Sequence, residues 1–243
     1  STTLILTDKT GTLTMADMAL SKLVPVDSTE EKLLAYALGN AQVLVENPED
    51  EPRTWRMNGR IMEKALVKCA AIKGKPFPEI ADKRHVLQSM PFNAVQKFSA
   101  TLIREGDKHT IVYFGAPDIL LAHAALGAKQ KEDLLEQVRT LASTGERVLG
   151  LALKEVHHTE NFSFAHEQHL SGLSFQGMIT FRDPVRPGVR HAVERVCRAG
   201  VRTVVMTGDH RGTAVAVARE IGMAVDDASV LDASELVTLS DTA

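Results

Sequence analysis

The sequence predicts an α/β protein in which an open, parallel-stranded domain is interrupted by an inserted α+β domain, and three observations predict it. The apolar run Leu4-Ile5-Leu6 leads directly into Asp8-Lys9-Thr10-Gly11-Thr12-Leu13-Thr14, a polar loop after what reads as a buried strand. Far along the chain a second apolar run, residues 201–206, ends in Thr207-Gly208-Asp209. Between them the texture changes from helical periodicity to closely spaced strands, and it returns to alternating strand and helix after Asp183. Open parallel sheets place their chemistry at the carboxyl ends of the strands, so the two loops are expected to form one site from segments about 200 residues apart.

The residue types in the first loop suit phosphoryl transfer. A carboxylate such as Asp8 can act as a nucleophile, Gly11 permits a tight turn that aims backbone amides at phosphate oxygens, and the hydroxyls of Thr10 and Thr12 add donors. Thr10 stands where a hydrolytic phosphatase of this layout would keep a second carboxylate as general acid and base. A phospho-aspartate formed here should therefore persist.

At 243 residues the chain can hold two modest domains, each with its own core. A formal net charge of −3 without a basic block argues against nucleic acid or an anionic membrane surface as the main partner. Cys69 and Cys197 are far apart, fit no zinc or redox spacing, and read as reduced core residues. No apolar run approaches the ~18 residues a membrane helix needs, and the amino end has no basic-then-apolar signal pattern.

Taken in order, the first strand and its loop extend to about Met18, and residues 20–26 read as an extended connection. Ser28-Thr29-Glu30-Glu31 has the spacing of a capping box, and Leu33, Leu34, Ala37, Leu38 and Ala41 share one face of a helix expected to end by Asn47. Residues 47–55, with Pro48 and Pro52, read as a surface loop. A second helix turns Ile61, Ala65, Leu66, Cys69 and Ala70 inward and stops at Gly74. Strands are predicted over 85–90, 97–104 and 109–114, the last two joined by Glu105-Gly106-Asp107-Lys108 as a hairpin. Pro117 opens a helix over 118–126, and Leu134, Leu135, Val138, Leu141 and Ala142 mark another before Gly145. Strands follow over 147–156 and 173–181. His157, His158, His166 and His169 lie between them at irregular spacings that read as solvated surface rather than a metal site. A helix from Pro187 carries Val189, Val193, Val196 and Cys197 up to Gly200. After strand 201–206, a last helix carries Ala214, Val217, Ala218 and Ile221 up to Gly222.

The heptad Asp8-Lys9-Thr10-Gly11-Thr12-Leu13-Thr14 closely resembles the phosphorylation motif of the P-type cation-transporting ATPases, and further matches cover essentially the whole chain. Thr207-Gly208-Asp209-His210 resembles the family's T-G-D loop, and Asp183-Pro184-Val185-Arg186 its D-P-x-R hinge. Pro91-Phe92-Asn93 through Lys97 resembles the P-F-x-S-x-x-K segment. Glu63 in Gly59-Arg60-Ile61-Met62-Glu63-Lys64-Ala65-Leu66, Gly115-Ala116-Pro117-Asp118, and Arg147 in Gly145-Glu146-Arg147-Val148-Leu149 add to the set. Singly, Glu63 reads as a solvated helix carboxylate, Phe92 as a core aromatic and Arg147 as a surface cation; their order along the chain is what lifts them.

The resemblance implies a haloacid-dehalogenase-like (Rossmann-like) phosphorylation domain at 1–18 and 183–243. It implies an inserted nucleotide-binding domain at 19–182 with an antiparallel sheet. It implies ATP and Mg2+ as cofactors, with Asp8 attacking the γ-phosphoryl group, Asp8 and Thr10 serving the metal, Lys9 and Thr12 shaping the loop, Thr207 and Gly208 holding the transferred group and Asp209 bordering the metal. Glu63, Phe92, Lys97, Phe114, Gly115, Arg147 and Arg186 would serve the nucleotide, with Phe92 stacking on adenine.

The branch implied is that of the calcium and related light-cation pumps. The expected partners are the transported cation and the protein's own membrane and actuator domains, on the cytoplasmic face of a membrane. Two departures stand out. Phe114 replaces the Lys of the family's K-G-A-P-E motif, to pack in the hairpin core or to close over the base. The chain also stops before the G-D-G-x-N-D segment and a downstream Lys, so the fragment alone is expected to be inactive. The competing readings are a freestanding haloacid-dehalogenase-like phosphatase or phosphotransferase with a cap, which Thr10 disfavours, and a non-catalytic nucleotide-sensing module.

Overall fold

The computed structural model describes residues 2–76, 79, 86–156, 163–164, 170–209, 211–226 and 229–232. His157, His158, His166, His169 and His210 lie outside the described residues. The chain divides into two compact units: a larger one of Met18–Leu141 and Arg147–Arg182, and a smaller one of Ser1–Asp17, Ala142–Glu146 and Asp183–Ala243.

The larger unit is built on a six-stranded antiparallel sheet of β2 (Ala19–Pro25), β5 (Val86–Asn93), β6 (Phe98–Glu105), β7 (Lys108–Gly115), β8 (Arg147–Val156) and β9 (Ser174–Arg182), in the order β2-β9-β8-β7-β6-β5. Alternation along the strands sends side chains to two separate cores. Ile103, Val112, Phe114, Leu151, Ile179 and Phe181 face α1 (Glu30–Asn40) and α2 (Ile61–Ile72), where Leu33, Ala37, Leu66 and Ala70 complete one core. Phe98, Ala100, Leu102, Ile111, Tyr113 and Ala152 join the other, with Leu120 and Leu121 of α3 (Pro117–His123) and the partly buried Leu134, Leu135 and Val138 of α4 (Ala128–Ser143). The β6–β7 hairpin turns through Gly106, whose φ of 62° supplies the left-handed residue that a two-residue loop requires. A two-stranded ribbon, β3 (Leu44–Val45) with β4 (Met57–Asn58), precedes α2.

Several expectations change here. Residues 20–25 belong to an edge strand, not a connection, because Leu20 to Pro25 pair with β9. The first helix is capped by Thr29, whose side chain accepts from Lys32 N, one residue later than the Ser28 box. It ends at Asn40 because that residue's amide is committed to the sheet, donating to Val112 O at 2.9 Å. Ile61, the first residue of α2, is exposed rather than inward. Trp55 in the expected surface loop is buried in the first core.

The smaller unit contains β1 (Leu4–Asp8) and β10 (Arg202–Met206) as a parallel pair, with α5 (Val189–Arg198) and α6 (Arg211–Glu220). The expected buried strand is exposed: Leu6 is 61% and Met206 57% exposed, because among the described residues the sheet has two strands and little to cover them. Among the described residues its core is a cluster of Leu13, Val193 and Ile221 with partly buried neighbours such as Val185 and Val205. Cys197 is exposed on α5 and Cys69 only half-buried on α2, so neither is a fully buried core residue.

Candidate functional site

Two groups of the sequence-predicted residues are assembled by the fold, one within each unit.

In the smaller unit, Asp8 ends β1 and lies in register with Met206, the last residue of β10. The two loops that follow are therefore neighbours although 199 positions separate Asp8 from Thr207 (207 − 8). Asp8 is exposed at the strand end, as are Thr10 and Thr12, while Lys9 turns inward, 6% exposed, and its Nζ meets Asp209 Oδ2 at 2.8 Å. A buried ammonium needs such a partner, and the pair ties the two loops together. Asp209 N donates to Thr207 Oγ1 at 3.1 Å, which folds the Thr207-Gly208-Asp209 turn on itself. Gly11 adopts φ 80°, a conformation that disfavours any side chain.

Arg186, expected among the nucleotide residues, lies on the Asp8 loop in this structure. Its Nε donates to Thr14 O at 2.9 Å and its Nη2 to Gly11 O at 2.9 Å. Arg186 N adds a bond to Leu13 O at 2.8 Å. The fully buried Thr14 hydroxyl donates to Asp183 Oδ2 at 2.6 Å and accepts from Gly11 N at 3.4 Å. The Asp183-Pro184-Val185-Arg186 segment thus clamps the Asp8 loop with one charged side chain at each end, Asp183 on the Thr14 hydroxyl and Arg186 on two backbone carbonyls. The planar guanidinium fork suits paired carbonyl acceptors, so its role in this geometry is to hold the loop.

In the larger unit, antiparallel order brings the end of β5, the start of β6, the end of β7 and the start of β8 to one rim of the sheet. Phe92, Lys97, Gly115 and Arg147 all lie along that rim. Asn93 closes the intervening turn by accepting from Val95 N at 2.8 Å and Gln96 N at 3.2 Å, and Lys97 follows in a left-handed conformation, φ 61°. A Cβ on Gly115 would lie 2.4 Å from Lys97 O, so only glycine lets the two strands approach here. Gly115 thus has a packing reason of its own.

Beside the rim is a cleft of about 150 Å³ lined by Asn40, Gln42, Gly59, Arg60, Glu63, Met90, Pro91 and Ser99. Glu63, in the first turn of α2, is 8% exposed, and its Oε2 accepts from Gln42 N at 3.0 Å. The helix amino terminus favours a carboxylate there. Phe92 is 42% exposed, with the Arg60 guanidinium 5.2 Å from its ring centroid. Phe114 is 5% exposed in the core beneath, which decides between its two readings: the ring packs and does not reach the cleft surface. Ser99 Oγ lies 3.1 Å from Phe114 O and 2.9 Å from Asn40 Oδ1, so the cleft floor is a satisfied polar chain.

Asn40, Gln42, Arg60 and Ser99 were not predicted. Asn40 interrupts an apolar helical face and Arg60 stands one turn before Glu63, and those were the available signals.

The sequence model of the P-type ATPase cytoplasmic domain N matches residues 28–188. The chain belongs to the P-type ATPase family. It is 30% identical to "Calcium-transporting ATPase 1" of Saccharomyces cerevisiae over 99% of its own length and 29% of that protein's. It is 29% identical to "Calcium-transporting ATPase 1" of Bacillus cereus over 100% of this chain and 29% of that one. To the "Sodium/potassium-transporting ATPase subunit alpha-A" of Artemia franciscana it is 27% identical over 96% of this chain and 27% of that one. The chain thus spans somewhat under a third of the length of these P-type ATPases. Among the described residues no helix is long and apolar enough to cross a membrane.

Proposed function

We propose that this chain is the nucleotide-binding and phosphoryl-accepting portion of a cation-transporting P-type ATPase. In this reading the larger unit is the nucleotide-binding domain and the smaller unit carries the phosphorylation domain. Adenine enters the cleft beside Glu63 and stacks on Phe92, while Lys97 and Arg147 on the same rim meet the phosphates. Asp8 accepts the γ-phosphoryl group. The observation that carries the reading is the register of Asp8 with Met206, which sets an exposed carboxylate beside the Thr207-Gly208-Asp209 loop.

In-line attack joins an Asp8 carboxylate oxygen to the γ-phosphorus as the bond to the β-phosphate oxygen breaks, and ADP leaves. Catalysis of this type is mainly positioning and charge stabilisation. The clamp from Arg186 holds the Asp8 loop, Lys9 keeps Asp209 in place, and Thr207 and Gly208 offer donors to the transferred group. The Asp8 carboxylate and Thr10 carbonyl are hard oxygen donors of the kind that Mg2+ takes alongside substrate phosphates, so the residues fit the metal. When bound, it would neutralise phosphate charge.

For the cation, calcium is the choice that the names of two of the three relatives support. The test is to give the protein carrying this chain γ-labelled ATP with Mg2+ and quench in acid. Label that hydroxylamine removes is expected, and Asp8→Asn should abolish it. Undiminished label in that variant would place the acceptor elsewhere.

A further inference from the structure

The guanidinium of Arg60 lies over the ring of Phe92 at 5.2 Å, and its Nη2 also donates to Phe92 O at 3.2 Å. Both groups are exposed, and Arg60 lines the cleft that holds Glu63. One face of the ring available for base stacking is therefore already covered by a cation of the protein itself. An aromatic face accepts either a guanidinium or a base, and one face cannot hold both. Where the family's K-G-A-P-E motif would supply an ammonium, this chain has the buried Phe114, and the exposed Arg60 brings a cation to the cleft lining.

We infer that Arg60 is a specificity residue with two positions: in the empty cleft it caps Phe92 and competes with the base, and on binding it is displaced and pairs with the phosphates. The inference rests on the adenine-nucleotide reading of the cleft. It assigns the site a preference for charged nucleotides over nucleosides, because only a ligand bearing phosphates recovers the contact that the guanidinium gives up. Adenosine must displace Arg60 with nothing in return, whereas ATP offers it a charge-assisted pair.

The experiment is calorimetric titration of adenosine and of ATP into the chain and into Arg60→Ala and Arg60→Lys. Arg60 precedes α2 without a side-chain capping bond, so the fold should tolerate both changes, and the melting temperature checks this. In Arg60→Ala, adenosine should bind roughly two- to fivefold more tightly, the scale of an exposed cation–aromatic contact, while ATP binds more weakly. Arg60→Lys keeps the charge but loses the flat stack, so it should gain adenosine affinity and retain ATP affinity. Unchanged adenosine affinity in both variants would overturn the competition, and an unchanged ratio of ATP to adenosine affinity in Arg60→Ala would overturn the phosphate role. Absence of binding in all three proteins would instead remove the nucleotide reading itself, and the inference with it.

Discussion

In the larger unit both faces of the sheet are covered, and the largest fully buried side chains, among them Tyr113, Phe175, Phe181, Leu33 and Leu66, all belong to it. In the smaller unit β1 and β10 leave Leu4, Leu6, Val204 and Met206 exposed, and the residues nearest Asp8 are held by polar contacts: Lys9 with Asp209, Arg186 with two carbonyls, Thr14 with Asp183. The difference separates two ways of positioning a site. The cleft by Glu63 rests on a packed double core, which fixes its walls through burial. The Asp8 loop depends on directional bonds, each modest in net worth and sensitive to the loss of one partner. Substitutions should therefore act on the two regions through different physics.

The largest effect is expected from Phe114→Ala. Emptying a buried aromatic position typically costs about 3–5 kcal/mol, and the urea midpoint should fall accordingly. Trp55, the single tryptophan, lies in the same core and reports the transition by fluorescence. A midpoint unchanged beside a weakened affinity for ATP would return Phe114 to the cleft and blur the distinction between core and site.

A smaller change, about 1–3 kcal/mol, is expected from Arg186→Ala, which leaves the Gly11 and Thr14 carbonyls without their donor. It should appear as faster amide exchange at Gly11 and Thr14, with the Trp55 midpoint unmoved. A fall of that midpoint would show that Arg186 serves the larger unit after all.

The smallest effect concerns the cysteines. Burial pushes the Cys69 thiol pKa up, with Lys73 only partly offsetting it, so less of the reactive thiolate is present at neutral pH. Native protein should be alkylated at the exposed Cys197 well before Cys69, and Cys69 labelling should rise with pH. Equal rates in the native state would mean that Cys69 is as accessible and as reactive as Cys197 and would contradict its partial burial on α2.

Much of this was legible because local patterns and tertiary needs agree. The hairpin at Gly106, the inward face of Leu33, Leu34, Ala37 and Leu38, and the strand at 147–156 follow from periodicity and turn chemistry alone. The exceptions are places where a distant partner decides. Asn40 stops α1 because Val112 and Ser99, on strands far along the chain, take its amide. Residues 20–25 became a strand because β9 offered an edge, and no local signal announces an edge. Burial of β1 was expected from its apolar composition, yet composition states what a strand can bury and not what is there to cover it.

For the site, Asp8, Lys9, Thr207 and Asp209 were readable as two loops, whereas the ion pair that joins them was not. Arg186 was read in a hinge motif and expected to serve the nucleotide, and only the geometry shows its bonds to the Asp8 loop. Arg60 escaped notice because a cation beside an acidic motif residue reads as solvated surface. Its place over Phe92 depends on a strand about 30 residues downstream.

The central claim is that nucleotide binding belongs to the cleft of the larger unit and phosphoryl acceptance to Asp8. It is tested most directly by calorimetric titration of ATP into the chain, Phe92→Ala and Asp8→Asn. Removing the stacking ring should weaken binding by about 1–3 kcal/mol, while Asp8→Asn should bind as well as the unaltered chain, because Asp8 belongs to the smaller unit and the substitution does not touch the cleft. Loss of binding in Asp8→Asn together with unchanged binding in Phe92→Ala would contradict the account and move the nucleotide site out of the cleft.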